Sequence, residues 1–299
     1  MYNESLYITI TLQESTLSLH NTIISVPHDF ASIQEAISSE YTYSGDTIIV
    51  DPGIYHENIN FIGKAITVGS QFLLTGSLEY IEETIIDAEG SGAVVSFVDH
   101  ENNNSIISGF TIRNGYNSSG DARGGGIKCY NGASPSLEYL IISGNQASSG
   151  GGIGCDVNCS PSISNVTIIG NTAGYAGGGI YCSWYSSPTL ENVIIADNIS
   201  SDGGGIYCRE NSSPSVVHST ITGNVVSNND LRGGGISTYS GSAPEIVNTI
   251  ISNHSNHYGI FDYSGGVQIS YSNMFNNDTG DSYGSNYVGI NVTVNSNGD

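Results

Sequence analysis

Residues 150–171 read GGGIGCDVNCSPSISNVTIIGN, and this stretch holds every part of a unit that recurs along the chain. A glycine triplet and an isoleucine open the unit, a Ser-Pro pair divides it, and an asparagine closes it. The triplets are spaced by 26, 27, 26 and 30 residues, and the prolines and the closing residues keep the same spacings. The triplets begin at Gly124, Gly150, Gly177, Gly203 and Gly233. The prolines are Pro135, Pro161, Pro188, Pro214 and Pro244, and the closing residues are Asn145, Asn171, Asn198, Asn224 and His254. A fixed period of this length predicts a solenoid, in which each unit packs only on its neighbours.

The apolar residues within each unit alternate with a period of two, which is typical of strands and not of helices. Leucine-rich repeats have similar lengths, but they need leucines at fixed offsets that these units lack. Left-handed hexapeptide helices need a period of six, which is also absent. The sequence therefore predicts an all-β fold, a single-stranded right-handed parallel β-helix with coils of about 26 residues and roughly eight to ten coils in total.

Equivalent side chains of successive coils should stack at the strand spacing of about 4.8 Å. Three inward ladders are predicted, together with a further inward column of mostly polar residues. The ladders are Ile127, Ile153, Ile180, Ile206 and Ile236; Cys129, Cys155, Cys182, Cys208 and Thr238; and Leu137, Ile163, Leu190, Val216 and Ile246. The further column is Tyr139, Asn165, Asn192, His218 and Asn248. For the cysteines, a packing ladder, a disulfide and a metal site remain open, although stacked Cβ atoms are slightly too far apart for an unstrained disulfide.

The two ends of the chain lack the repeat. Residues 32–38 read SIQEAIS, which predicts a short amphipathic helix that caps the apolar end of the stack. We predict flanking strands over residues 1–26, the β-helix over 27–277, and a coil or tail rich in Gly, Asn and Ser over 278–299. The first 26 residues lack a basic segment followed by an apolar core, so they do not read as a signal peptide.

The composition excludes several classes of partner. The formal net charge is −22, and a strongly acidic surface repels nucleic acids and anionic lipid headgroups. No apolar run is long enough to span a membrane, so membrane insertion is not expected. We expect a monomer or a part of a larger surface protein.

A candidate ligand-binding face follows from the strand that carries the glycine triplets. Four of the six basic residues lie on or beside it, its outward positions carry tyrosines, and the single tryptophan stands at its end. An exposed column of aromatic rings with cations suits sugar rings and carboxylates. The candidate residues are Arg123, Lys128, Tyr130, Asp156, Tyr181, Trp184, Tyr185, Tyr207, Arg209, Arg232 and Tyr239. Ordinary strand composition is the alternative explanation, because aromatic residues favour sheets.

Two families resemble parts of this sequence. Residues 26–70, with SIQEAI, GDTI, PGIYHE and GKAI, look like the opening of pectin-lyase-like β-helix proteins. The later GGGI and Ser-Pro units are similar to the repeats of chlamydial polymorphic outer-membrane proteins, although the phenylalanine of those repeats is missing. The resemblance covers about Val26 to Asn277 and implies the fold; this fold hosts lyases, hydrolases, esterases, adhesins and secreted passengers alike.

The catalytic motifs of the enzymes in this superfamily are missing. The sequence has no Asp-Asp pair, no Gly-His-Gly and no Gly-Phe-x-Asp-Phe-Ile-Phe-Gly, which the resemblance would require for polygalacturonases or pectin methylesterases. Val98-Asp99-His100 only faintly resembles a lyase element. We therefore expect an extracellular or cell-surface, adhesin-like module that presents a face to glycans and has no catalytic residues, metal or cofactor. Calcium remains open without a specific motif, and the alternative function is a polysaccharide lyase or glycoside hydrolase acting on acidic polysaccharide.

Overall fold

The computed structural model describes residues 21–118, 123–228, 230, 232–255, 257–284, 286–287 and 293–295. Within them the chain winds into a parallel β-solenoid of about ten turns, as the repeat predicts. Every strand pairing between successive turns is parallel. In the regular coils the chain passes through four sheets in order, which we number 1 to 4.

Sheets 1 and 2 run along the whole described stack and contain 11 and 10 strands. The strands of sheet 1 are Ile23–Val26, Thr47–Val50, Thr67–Ser70, Ile106–Ser108, Ser136–Glu138, Ser162–Ser164, Thr189–Glu191, Ser215–Val217, Glu245–Val247, Gln268–Ser270 and Asn286–Tyr287. The strands of sheet 2 are Gly53–Tyr55, Thr84–Asp87, Thr111–Arg113, Ile141–Ser143, Thr167–Ile169, Ile194–Ala196, Thr220–Thr222, Ile250–Ser252, Asn273–Phe275 and Thr293–Asn295.

Sheet 3 is short and has five strands, whereas sheet 4 has nine and includes the residues that follow the glycine triplets. The strands of sheet 3 are Tyr116–Asn117, Gln146–Ser149, Thr172–Ala176, Ile199–Ser200 and Val225–Val226. The strands of sheet 4 are Ile59–Asn60, Val95–Phe97, Ile127–Tyr130, Ile153–Asp156, Ile180–Ser183, Ile206–Cys208, Gly233–Thr238, Tyr258–Asp262 and Gly280–Tyr283.

The glycine triplets line the sharp corner between sheets 3 and 4. Gly150 has φ +66°, a left-handed conformation that side chains other than glycine rarely adopt. A Cβ on Gly152 would lie 2.7 Å from the carbonyl oxygen of Gly179 in the next coil. The triplet is therefore required because neighbouring backbones approach each other closely at this corner.

The core is a continuous column of stacked apolar side chains, which confirms the three predicted ladders. Register pairs join Ile127 to Ile153, Cys129 to Cys155, and Leu137 to Ile163, and the members of all three ladders are fully or almost fully buried. All five cysteines are buried and free, so the cysteine ladder packs as a row of small apolar groups.

The further column was predicted wrongly. Asn165, Asn192, His218 and Asn248 are exposed, and Tyr139 is only partly buried. All five have φ between 50° and 55°, because they form the corner between sheets 1 and 2. Asparagine is among the residues that tolerate this conformation best, which explains its frequency in the column.

The closing asparagines instead form the buried polar ladder. Asn171 and Asn198 are fully buried, and His254 takes the equivalent place in its coil. Each side chain in the ladder bonds to the backbone N–H of the equivalent residue one coil earlier. These bonds satisfy the backbone at the turn between sheets 2 and 3.

Helix α1, Ile33–Ser38, covers the first end of the stack as predicted and buries Ile33, Ala36 and Ile37. Ser32 caps it by accepting a hydrogen bond from the Glu35 backbone N–H at 3.1 Å. Two further short helices, α2 (Phe72–Thr75) and α3 (Glu79–Glu83), lie between the sheet 1 strand Thr67–Ser70 and the sheet 2 strand Thr84–Asp87. In the part of the chain that the structure describes, no helix is long and apolar enough to cross a membrane.

The predicted domain boundaries stay a prediction. Residues 1–20 lie outside the described residues, while the strand Ile23–Val26 already pairs with Thr47–Val50 in sheet 1. At the other end, Gly280–Tyr283 pairs with Tyr258–Asp262 in sheet 4. Strands of both predicted flanking regions thus join the stack.

Candidate functional site

The outer face of sheet 4 carries two parallel columns of side chains. Register pairs place Tyr181 beside Tyr207, and Tyr130 beside Asp156. The first column is Lys128, Gly154, Tyr181, Tyr207, Ser237, Phe261 and Tyr283. The second begins with Tyr130, Asp156 and Ser183 and continues through Arg209, Tyr239 and Tyr263. The predicted single column of tyrosines is therefore divided between two columns, two residues apart along the strand.

The prediction that Tyr181 and Tyr207 are exposed is wrong. Tyr181 is fully buried and Tyr207 is 4% exposed. Their rings are stacked with centroids 5.7 Å apart, and the guanidinium of Arg123 lies 4.9 Å from the Tyr181 ring centroid. Tyr175, from the neighbouring sheet 3, meets the Tyr207 ring edge-on at 6.3 Å. These neighbours cover the two rings, which therefore support the face from below and are not available to a ligand.

The aromatic cluster extends further than the sequence indicated. The Tyr207 ring contacts Tyr239 at 5.3 Å, and Tyr239 contacts Phe261 at 6.0 Å. The additional members that sequence reasoning missed are Tyr175, Tyr258, Phe261, Tyr263 and Tyr283. The coils beyond Thr238 lack the glycine triplet, so only the strand pairing aligns their aromatic residues with the earlier ones. The available signal was the concentration of aromatic residues in 258–263, at Tyr258, Phe261 and Tyr263.

Each arginine of the candidate set has a carboxylate partner. Arg123 Nε lies 2.6 Å from Asp156 Oδ2, and both side chains are largely buried. Arg209 Nε lies 3.3 Å from Ser183 Oγ and 3.6 Å from Glu210 Oε2. These pairs hold the guanidinium groups over the tyrosine rings, where cation–π attraction adds to the packing.

Arg232, Tyr239 and Asp202 form a second polar group. The Tyr239 hydroxyl donates to Asp202 Oδ2 at 2.8 Å, and Arg232 Nε lies 3.8 Å from the same oxygen. Burial raises the pKa of the Asp202 carboxyl above its usual value, although Ser237, Tyr239 and Arg232 oppose this shift. Burial and the neighbouring Asp202 carboxylate also raise the pKa of the Tyr239 hydroxyl, and Arg232 opposes this shift.

One pocket of about 230 Å³ is lined by four of the residues that the sequence predicted: Arg123, Lys128, Tyr130 and Asp156. The Lys128 ammonium lies 5.6 Å from the Tyr130 ring centroid, and 42% of Tyr130 is exposed. Asp156 is 6% exposed, and its Oδ1 has no hydrogen-bond partner among the described residues. The pocket thus combines a ring, a cation and a buried acceptor.

Trp184 and Tyr185 stand apart from the ring cluster, at the turn that follows sheet 4. They are 49% and 59% exposed, and their φ angles are 51° and 60°. Backbone bonds join this turn to equivalent turns in the coils on both sides. The two adjoining coils have Val157-Asn158 and Glu210-Asn211 at this turn, also left-handed, and one coil further out on each side Gly132 and Gly241 take the place of Tyr185. Two bulky residues in the left-handed region are an uncommon and unfavourable arrangement.

Comparison with known proteins gives one family repeat and a set of solved structures. Residues 165–183 match the Chlamydia polymorphic membrane protein repeat. The pectin methylesterase of Aspergillus niger is similar in structure, with a TM-score of 0.57 and 15% identity over 92% of this chain and 91% of that one. The chain has the pectin-lyase-like right-handed parallel β-helix fold.

Two further structures resemble this β-helix more distantly. Pectin methylesterase from carrot has a TM-score of 0.45 and 13% identity, over 94% of this chain and 84% of its own. PemA from Erwinia chrysanthemi has a TM-score of 0.46 and 12% identity, over 88% and 80%. No curated protein matches the sequence. These identities are too low to transfer an activity to the β-helix.

The described part of this β-helix contains no cluster of metal-ligating side chains. No group of three or more His, Cys, Asp or Glu side chains there could hold a metal ion. Burial raises the pKa of the Cys159 thiol to about 12, which keeps it protonated at neutral pH.

Proposed function

We propose that this chain is a non-catalytic β-helix module of a secreted or cell-surface protein that binds glycans through the outer face of sheet 4 and the turn that follows this sheet. The observation that carries the proposal is the exposed Trp184–Tyr185 pair. Both residues occupy a backbone conformation that costs each of them on the order of 1–2 kcal/mol, while the adjoining coils use asparagine at the second position. Aromatic rings held in a fixed orientation at a surface present flat apolar faces, which stack well on sugar rings.

The neighbouring pocket supports the same proposal. Tyr130 adds an exposed ring at the end of a sheet 4 strand, two coils before the strand that Trp184 follows, and Lys128 adds a cation. The match of residues 165–183 to a membrane-protein repeat supports a surface or secreted location. An acidic surface with a local cluster of rings and cations would direct a polysaccharide to this face and away from the rest of the molecule.

A glycan array tests the proposal. We expect the protein to bind a subset of glycans and the double variant Trp184→Ala/Tyr185→Ala to lose at least about tenfold in affinity, because stacking on both rings is lost. Tyr271→Ala is the matched control, since Tyr271 is also exposed and left-handed but lies at the corner between sheets 1 and 2. Absence of binding to any glycan, or equal losses in both variants, would overturn the proposal.

An enzyme acting on acidic polysaccharide is the second candidate, and Asp202 is the observation that favours it. Its carboxyl has a raised pKa and contacts Tyr239 and Arg232, as expected of a proton-transfer group. Reducing-sugar, unsaturated-product and ester-release assays on polygalacturonan and its methyl ester test this candidate. Product formation that is lost in Asp202→Asn would establish catalysis and replace the non-catalytic proposal.

A further inference from the structure

We infer that the pocket formed by Arg123, Lys128, Tyr130 and Asp156 is a binding site for one sugar unit that carries a single negative charge, with Lys128 selecting the charge. This inference rests on the proposed glycan-binding function and names the ligand class for one part of the face. The four residues come from two adjacent coils and a loop, and the pocket encloses about 230 Å³.

The charged side chains of the pocket do not cancel one another. Arg123 is paired with Asp156 at 2.6 Å, so these two charges offset each other. Lys128 has a ring contact with Tyr130 but no carboxylate partner among the described residues. The other basic residues all have acceptors: Arg113 with Asp87, Arg209 with Glu210, Arg232 with Asp202, and Lys64 with backbone carbonyls. Two cations and one carboxylate leave one net positive charge, which suits a monoanion.

The pocket also contains a buried carboxylate oxygen, Asp156 Oδ1. Asp156 Oδ1 has no hydrogen-bond partner among the described residues, and a buried acceptor without a donor is unfavourable. A sugar hydroxyl is a donor of the right size, and it brings no positive charge that Lys128 would repel. Asp156 lines the pocket and is 6% exposed as a residue, whereas Oδ1 itself is buried, so bonding to a hydroxyl requires the surrounding side chains to adjust.

The Tyr130 ring gives the pocket an exposed apolar surface. It is half-exposed at the rim, where the apolar face of a pyranose can stack on it. A simple inorganic anion would use Lys128 but neither the ring nor the hydrogen-bond acceptor. The combination of ring, acceptor and single cation therefore favours an anionic sugar over a free anion.

Ligand-observed NMR titration with three sugars tests the inference: methyl β-glucuronide, glucose 6-sulfate and methyl β-glucoside. We expect at least one of the charged sugars to bind about tenfold more tightly than the neutral one, and its identity tells carboxylate from sulfate ester. Lys128→Gln should remove this preference, Lys128→Arg should keep it, and Tyr130→Leu should weaken all three sugars alike. Inorganic sulfate serves as the control for a free anion.

The outcomes separate this inference from the proposed function. If the array shows glycan binding that does not depend on charge or on Lys128, the inference is overturned and the proposed function stands. If inorganic sulfate binds as tightly as the charged sugars, the site is an anion site and the inference is also overturned. If no glycan binds anywhere, the proposed function and the inference fail together.

Discussion

Asn171 and Asn198, one coil apart, are joined by two hydrogen bonds to a single oxygen. The Asn171 backbone N–H donates to Asn198 Oδ1 at 2.9 Å, and Asn171 Nδ2 donates to the same oxygen at 3.0 Å. Asn198 in turn bonds to Asn224 in the same way. Because both residues are fully buried, no water can replace these bonds, and the ladder fixes the register of successive coils.

We expect Asn198→Ala to lower the free energy of unfolding by about 3 kcal/mol, since it leaves a buried backbone N–H of Asn171 without an acceptor. Urea denaturation followed by circular dichroism measures the change. Asn192→Gly is the matched control: Asn192 is exposed at φ 55°, and glycine adopts that conformation readily. Comparable losses in the two variants would contradict the role of the ladder.

His254 should make the protein sensitive to acid. Burial lowers the pKa of its imidazole from 6.5 to about 4. Nδ1 lies 3.2 Å from the Asn224 backbone nitrogen and 3.1 Å from the Asn224 carbonyl oxygen. The unfolded chain therefore binds a proton more readily than the folded one. Stability is fully present above pH 6.5 and is lost as the pH falls toward 4, by at most about 3 kcal/mol.

His254→Asn tests this prediction, because asparagine occupies the equivalent position in the preceding coils. Thermal melts between pH 4 and pH 7 should show a smaller loss of stability on acidification in the variant than in the unaltered protein. An identical pH dependence in both proteins would place the acid sensitivity elsewhere, for example at His257, whose pKa burial also lowers.

Tyr185→Gly should stabilise the fold and weaken glycan binding at once. Glycine relieves the left-handed strain of about 1–2 kcal/mol, part of which is offset by the greater entropy of the unfolded chain. We expect a net gain of about 0.5–1 kcal/mol in a melt and a several-fold weaker signal on the glycan array. A loss of stability would mean that the Tyr185 side chain makes packing contacts that outweigh the strain.

The cysteine ladder should be unreactive in the native protein. Cys129, Cys155, Cys182 and Cys208 are at most 1% exposed. Hydrogen bonding along the row of thiols, followed by burial, gives a net rise in the pKa of the first three. A thiol reagent such as DTNB should label essentially none of the five cysteines in buffer at pH 8 and all five in 6 M guanidinium chloride. Rapid labelling without denaturant would show that the stack opens readily.

Only part of the candidate face was predicted from the sequence. The alignment of adjacent coils could be predicted from the repeat, but contacts between different sheets could not. The sequence identified Arg123, Lys128, Tyr130 and Asp156, and the structure places them together because adjacent coils pair Tyr130 with Asp156. It could not reveal that Tyr175, from another sheet, would cover Tyr207. Whether an outward ring is exposed depends on what neighbouring sheets place over it, and that is a property of three-dimensional packing.

The sequence by itself determined the solenoid, its period and its inward ladders, because a repeat that buries one face in each coil has one simple way to stack. The tertiary structure alone decided how the aromatic residues on sheet 4 divide into buried supports and exposed rings, and that the closing asparagines form the polar ladder. Inward packing depends on apolar periodicity, which is local and can be read along the chain. Exposure and side-chain pairing depend on distances between residues of different coils, which only the folded backbone fixes.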